Sequence, residues 1–149
     1  LIRISIAFII TMKNKLSTVS DVTLINVKYF PEERGDLSVI EKGDLPFKFN
    51  RIFNVKANEG DIRGNHAHKK CKQFMLCLNG SIELTCDDGF SKKQFTLKQA
   101  NEGVYVPSGI WATQKYLVKD SLLMVLCDLD YDEDDYLRNY DNFIKFIGS

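Results

Sequence analysis

Hydrophobic and polar residues alternate in short runs along most of the chain, and the runs are rich in β-branched and aromatic side chains. Residues 22–29, 37–41, 47–55, 73–78, 81–86, 93–97, 103–106, 113–118 and 121–128 read as strands. The segments FMLCL at 74–78 and LLMVLC at 122–127 are apolar without a break, the pattern of strands covered on both faces. Between the runs stand turn signals: Asn58-Glu59-Gly60-Asp61, Asn79-Gly80, Asp87-Asp88-Gly89 and Pro107-Ser108-Gly109. Asn-Gly and Asp-Gly supply the positive φ that tight hairpins need. Many short strands at close spacing predict an all-β sandwich or barrel. Helical spacing is confined to residues 133–147, where Tyr136, Tyr140, Phe143 and Ile147 fall on one face. The apolar opening LIRISIAFII is too short to span a bilayer. A polar stretch follows Met12, so residues 1–11 read as an extension and 12–149 as a single domain.

Composition narrows the function classes. Of 149 residues 44% are hydrophobic and 27% charged, an ordinary globular balance with room for a real core. Twenty basic residues match twenty acidic ones, which argues against a general nucleic-acid or membrane-surface binder. Cys71, Cys77, Cys86 and Cys127 form no CxxC pair, so neither a zinc knuckle nor a thioredoxin-like motif is expected. Cys77 and Cys127 sit inside apolar runs and read as buried free thiols, which fits a reducing cytoplasm.

The chemistry-bearing segment is Arg63-Gly64-Asn65-His66-Ala67-His68-Lys69, followed by Gln73 and Gly80. It holds both histidines of the chain. On a strand, positions two apart face the same way. Two imidazoles sharing a pocket can hold a metal or move protons, while a bare HxH on an open strand face is a pair of surface histidines.

These residues resemble the first motif of the cupin superfamily, with Gln73 where that motif has Glu. Gly103 to Trp111 resembles the second motif, without its histidine. Two imidazoles and an amide are a poor set for a transition metal. The match is tighter to the dTDP-sugar 3,4-ketoisomerases. It is carried by Arg34-Gly35-Asp36-Leu37, Leu45-Pro46-Phe47, Arg51-Ile52-Phe53, the RGNHAHK string, Val106-Pro107-Ser108-Gly109-Ile110-Trp111, and the tail from Asp135-Tyr136-Leu137-Arg138 through Asp141-Asn142-Phe143.

The resemblance implies a cupin jelly-roll barrel, a homodimer with exchanged strands, no metal or other cofactor, and no nucleic-acid or membrane partner. It implies conversion of dTDP-4-keto-6-deoxyglucose to its 3-keto isomer, which an aminotransferase then aminates on the way to a bacterial surface polysaccharide. It makes His68 the base, with His66 and Arg63 beside it. The chain departs from the family pattern at Phe53-Asn54, where two tyrosines are frequent, and at Ala112, where a histidine often follows the tryptophan.

A histidine with an ordinary pKa of about 6.5 suits proton transfer near neutrality. The enediolate oxygen needs a positive or hydrogen-bonding partner, and Arg63, His66 and Gln73 are the candidates. Arg51 and Arg138 are candidates for the diphosphate, since guanidinium forks onto phosphate, although either could be a solvated surface arginine. Trp111 is either a pocket wall or core. Two other readings stand beside this one: a metal-free 3,5-epimerase-like cupin, and a sugar-binding cupin without catalysis.

Overall fold

The computed structural model of the chain describes residues 16–149, so the extension expected over residues 1–11 lies outside the described residues. Twelve strands and one helix follow in order: β1 (Thr23–Asn26), β2 (Lys28–Glu32), β3 (Gly35–Val39), β4 (Arg51–Ala57), β5 (Ile62–His68), β6 (Gln73–Asn79), β7 (Ile82–Asp87), β8 (Lys92–Leu97), β9 (Glu102–Val106), β10 (Trp111–Tyr116), β11 (Ser121–Cys127), β12 (Tyr136–Leu137) and α1 (Tyr140–Ile147). They form one sheet in the order β1-β9-β6-β11-β4, a second in the order β12-β5-β10-β7-β8, and a separate β2-β3 ribbon. The result is the expected all-β cupin-type jelly roll with a short C-terminal helix, its two sheets facing each other rather than closing into a ring.

Alternation along the strands builds the core. Met75, Cys77, Leu123 and Val125 of the first sheet meet Ile82, Leu84, Cys86, Ala112 and Tyr116 of the second. The intervening Phe74, Leu76 and Leu126 point the other way and are covered by Leu45, Phe47 and Phe49. That double coverage is why β6 and β11 are apolar at nearly every position. Outside the second sheet, Phe143 of α1 packs on Ala67 and Leu137, with Trp111 against them. Gly80, at φ 84°, turns β6 into β7; a Cβ there would lie 2.3 Å from Ser121 Oγ. Asn79-Gly80 is thus the hairpin the dipeptide predicts.

Several boundaries differ from expectation. The 22–29 run splits at Val27 because its second half leaves the sheet to pair with β3. The 47–55 run enters the sheet only at Arg51, its first residues being the cover over Phe74 and Leu76. The expected helix at 133–147 is shortened to Tyr140–Ile147. Asn139 sets the start by accepting the Asn142 backbone N–H at 3.0 Å. Tyr136 and Leu137 instead pair as a strand with His68 and Ala67. Asp132 caps a short 3-10 turn at Glu133–Asp135 before them.

Candidate active site

The histidine strand carries an irregularity that decides what faces inward. In the β10–β5 pairing, Ala112 sits opposite His66 and Thr113 opposite Gly64, so Asn65 is an extra residue without a partner. Gly64 and Asn65 both take positive φ, 78° and 53°. A Cβ on Gly64 would lie 2.7 Å from the Ala112 carbonyl, so the bulge needs glycine. On a regular strand, residues three apart face opposite ways. The inserted residue puts Arg63 and His66 on the same wall.

That wall bounds a cavity of about 170 Å³ between the sheets, lined among others by Phe53, Arg63, His66, Gln73, Gln114, Tyr136 and Arg138. A larger groove of about 810 Å³ lies elsewhere, along Leu16, Thr23, Tyr105 and Pro107, and holds no histidine. His66 Nδ1 donates to the Gly64 carbonyl at 3.0 Å. A carbonyl only accepts, so the proton sits on Nδ1 and Nε2 keeps its lone pair. Burial pulls the His66 pKa down to about 4, which leaves the ring neutral at pH 7.

His68 stands behind His66, edge-on to it with centroids 5.1 Å apart, and only 4% exposed. Its Nδ1 donates to Asp135 Oδ2 at 2.8 Å. Asp135 is itself fixed by the backbone N–H groups of Lys70 at 2.7 Å and Cys71 at 3.3 Å. His68 Nε2 is buried without a partner. Burial lowers the His68 pKa, opposed by the Asp135 carboxylate. The Tyr136 ring lies over both imidazoles, at 5.0 Å and 4.3 Å. The ring on the cavity wall is His66, and His68, expected to be the base, is sealed behind it.

The other expected residues divide. Arg63 and Gln73 line the cavity, Gln73 with its amide N–H toward Cys127 Sγ at 3.6 Å. Arg138 lies at the cavity over the Tyr136 ring, in a two-pronged ion pair with Glu133 at 2.6 and 2.9 Å. That pair pulls the Glu133 carboxyl down to about 2. Arg51 flanks the cavity residue Phe53, with its guanidinium against the Phe53 and Tyr131 rings and Nη2 3.5 Å from Cys127 Sγ. Trp111 is not brought to the cavity of this chain. Its neighbours along β10, Ala112 and Gln114, face inward, so Trp111 faces outward, edge-on to Tyr140 at 5.2 Å and against Phe143.

Cys127 carries more chemistry than a core thiol. Hydrogen bonds from Cys71, then Arg51 and Gln73, hold its pKa below the ordinary value, while the bond to Cys127 holds Cys71 above it. All four cysteines are buried and free. At the positions where cupins hold a metal, the donors do not fit. Gln73 is a neutral amide turned toward Cys127, and Ala112 offers no ligand atom, which leaves two imidazoles without a third donor.

Sequence reasoning missed Asp135 and Tyr136 as site residues. The signal was present in the tail motif, but its tyrosines also fit a helical stripe, and β12 had to be seen pairing with β5 before Asp135 could be joined to His68.

The family model described as FdtA: WxcM-like, C-terminal, matches residues 20–148. A TDP-4-oxo-6-deoxy-α-D-glucose-3,4-oxoisomerase from Aneurinibacillus thermoaerophilus is 40% identical over 127 residues, covering 84% of this chain and 91% of that protein. QdtA, a sugar 3,4-ketoisomerase from Thermoanaerobacterium thermosaccharolyticum solved with TDP, superposes with a TM-score of 0.84 at 32% identity, covering 88% of this chain and 97% of that one. A histidine-to-asparagine mutant of the same enzyme, solved with TDP-4-keto-6-deoxyglucose, gives 0.80 at 33% identity, covering 83% and 91%.

Proposed function

This chain belongs to the FdtA family and is a sugar 3,4-ketoisomerase, and from that premise we propose that it moves the keto group of TDP-4-keto-6-deoxyglucose from C4 to C3, with His66 as the base. The observation that carries the assignment is a neutral imidazole on the wall of a small cavity, its Nδ1 tied down and its Nε2 lone pair unspent.

The C4 carbonyl acidifies the hydrogen on C3. His66 Nε2 takes that proton, the C3–H electrons become the C3=C4 double bond, and the C4 oxygen takes the negative charge. Arg63 and Gln73 supply the positive and N–H groups that oppose this charge in a poorly hydrated space. Return of the proton to C4 and passage of the O3 proton to the C4 oxygen leave the ketone at C3 and a hydroxyl at C4. A base with a pKa near 4 is weak in the resting site. The enediolate forming beside it raises its proton affinity, because an opposite charge at short range favours the protonated ring. His68, aligned by Asp135, packs against His66 and keeps it from turning away.

The cavity's size supports the same reading. A cavity of about 150 Å³ accepts a benzene ring. About 170 Å³ therefore admits one sugar ring and leaves the nucleotide at the rim. There Arg51 and Arg138 are the candidates for the diphosphate, Arg138 by exchanging Glu133 for phosphate.

The protein acts as a homodimer in this reading, with strands exchanged between subunits. The β2-β3 ribbon pairs with no other strand among the described residues and exposes Phe30 and Leu37, and Ile52 and Leu78 are exposed on the outer face of the first sheet. No described helix is long and apolar enough to cross a membrane. Cytoplasmic residence suits the four free thiols. The 3-keto product is suited to an aminotransferase.

Incubation of the enzyme with TDP-4-keto-6-deoxyglucose, followed by NMR, tests the reading. A 3-keto product is expected; exchange at C5 without it would mark an epimerase, and binding without change a sugar-binding cupin. His66→Asn should lower kcat by roughly 10²–10⁴-fold with TDP binding retained, and turnover within tenfold of wild type would remove His66 as the base.

A further inference from the structure

The mechanism above leaves the buried Cys71 thiol unused. It sits on the loop between β5 and β6 and donates to the Lys72 carbonyl at 3.5 Å. On its other side, Cys71 lies with His68 and Asp135 so that one donor atom from each falls within 4.8 Å of the other two. All three are buried, at 3%, 4% and 7% exposure. His68 also carries a buried nitrogen with no hydrogen-bond partner.

We propose that Cys71, His68 and Asp135 form a binding site for a thiophilic divalent cation such as zinc or cadmium, and that its occupation switches the enzyme off. The donor set is one thiol, one imidazole and one carboxylate, three ligands of the kinds that tetrahedral zinc takes, with the fourth position left to water. Donor atoms that already lie within 4.8 Å of one another need only small movements to meet a cation at bond lengths of about 2.0–2.3 Å. Binding displaces the Cys71 thiol proton, and the thiolate and the carboxylate then balance the cation's charge. The site lies behind the cavity, away from the wall that carries His66.

Loss of activity follows from geometry and rests on the catalytic reading above. A cation on the His68 ring and on Asp135 replaces the hydrogen bond between them and draws His68 from its edge-on contact with His66.

The test uses the intact enzyme and cadmium, whose thiolate complexes absorb in the ultraviolet. Calorimetry and the charge-transfer band should give one cadmium per chain, and turnover of TDP-4-keto-6-deoxyglucose should fall at least about tenfold on saturation and recover with a chelator. Replacing outer-shell groups alone costs about 10–100-fold in metal affinity, so losing a ligand in Cys71→Ser should weaken binding by at least that much. Cys86→Ser should bind cadmium, and lose activity with it, as wild type does. Wild type that binds none, or Cys71→Ser that binds as tightly as wild type, overturns the site. Full occupancy with unchanged turnover overturns the inhibitory role, while the His66→Asn measurement tests the catalytic reading independently.

Discussion

At position 135 one carboxylate serves three donors: the His68 ring and the backbone N–H groups of Lys70 and Cys71. Its charge matters less for attracting a proton than for deciding which His68 nitrogen carries it. In Asp135→Asn the amide N–H can face Nδ1, and the ring proton then moves to Nε2. We expect kcat to fall by about tenfold to hundredfold, less than the roughly 10²–10⁴-fold that a proton-transferring group supplies. TDP binding measured by calorimetry should be unchanged. Nothing local in the sequence joins Asp135 to His68, 67 positions apart, so this contact was legible only once β12 was placed. The histidine pair, by contrast, was legible at once, since the spacing of two and the neighbouring Arg63 and Gln73 all sit in one segment. Which of the two rings lines the cavity was legible only in the folded chain. The pH profile follows from the same burial. With His66 near 4, the acid limb of kcat/KM should lie well below the ordinary histidine value of 6.5. A limb at 6.5 or above would mean that the cavity ring is hydrated and is not the base.

Elements set the faces that residues use. The β5 bulge is the device that lets Arg63 share the cavity with His66, and its glycine has φ 78° with the Ala112 carbonyl beneath it. Gly64→Ala should cost about 1–2 kcal/mol from the left-handed backbone alone, and more from the contact with Gln114, read as a lower denaturation midpoint with a raised KM. Helix α1 acts at a distance from the cavity by clamping β12. Its Phe143 is fully buried against Ala67 and Leu137. Phe143→Ala should lower stability by about 3–5 kcal/mol in denaturant melts, with kcat falling as β12 loosens. The strands and hairpins were legible because β-branched runs and Asn-Gly or Asp-Gly turns act locally. The helix start was misread because Tyr136 fits both a helical stripe and a strand, and only the Asn139 cap and the pairing with His68 separate the two. The two readings of Trp111 stayed open for a similar reason: facing direction on β10 depends on register, which composition does not carry.

For the whole molecule, the two depressed histidines tie folding to pH. Between 6.5 and about 4 the unfolded chain takes up a proton that folded His66 refuses, so stability rises with pH through that window and is complete above it. Chemical denaturation at pH 5 should therefore give a lower midpoint than at pH 7, and His66→Asn should flatten the difference. Assembly was an expectation from family resemblance alone, because an exposed Ile52 or Leu37 reads like any surface residue until the sheets are built. If the outer face of the first sheet meets a second copy, Ile52→Glu should convert a dimer to a monomer in sedimentation experiments. One consequence reaches past the protein to the isotopes of its substrate. Each imidazole has given its only N–H to Gly64 or Asp135. The resting pocket thus presents lone pairs and no acidic histidine proton. A hydrogen lifted from one carbon is then the nearest one to be set down on the next, on the same side of the ring. Deuterium placed at C3 should reappear at C4, with little taken from the surrounding water.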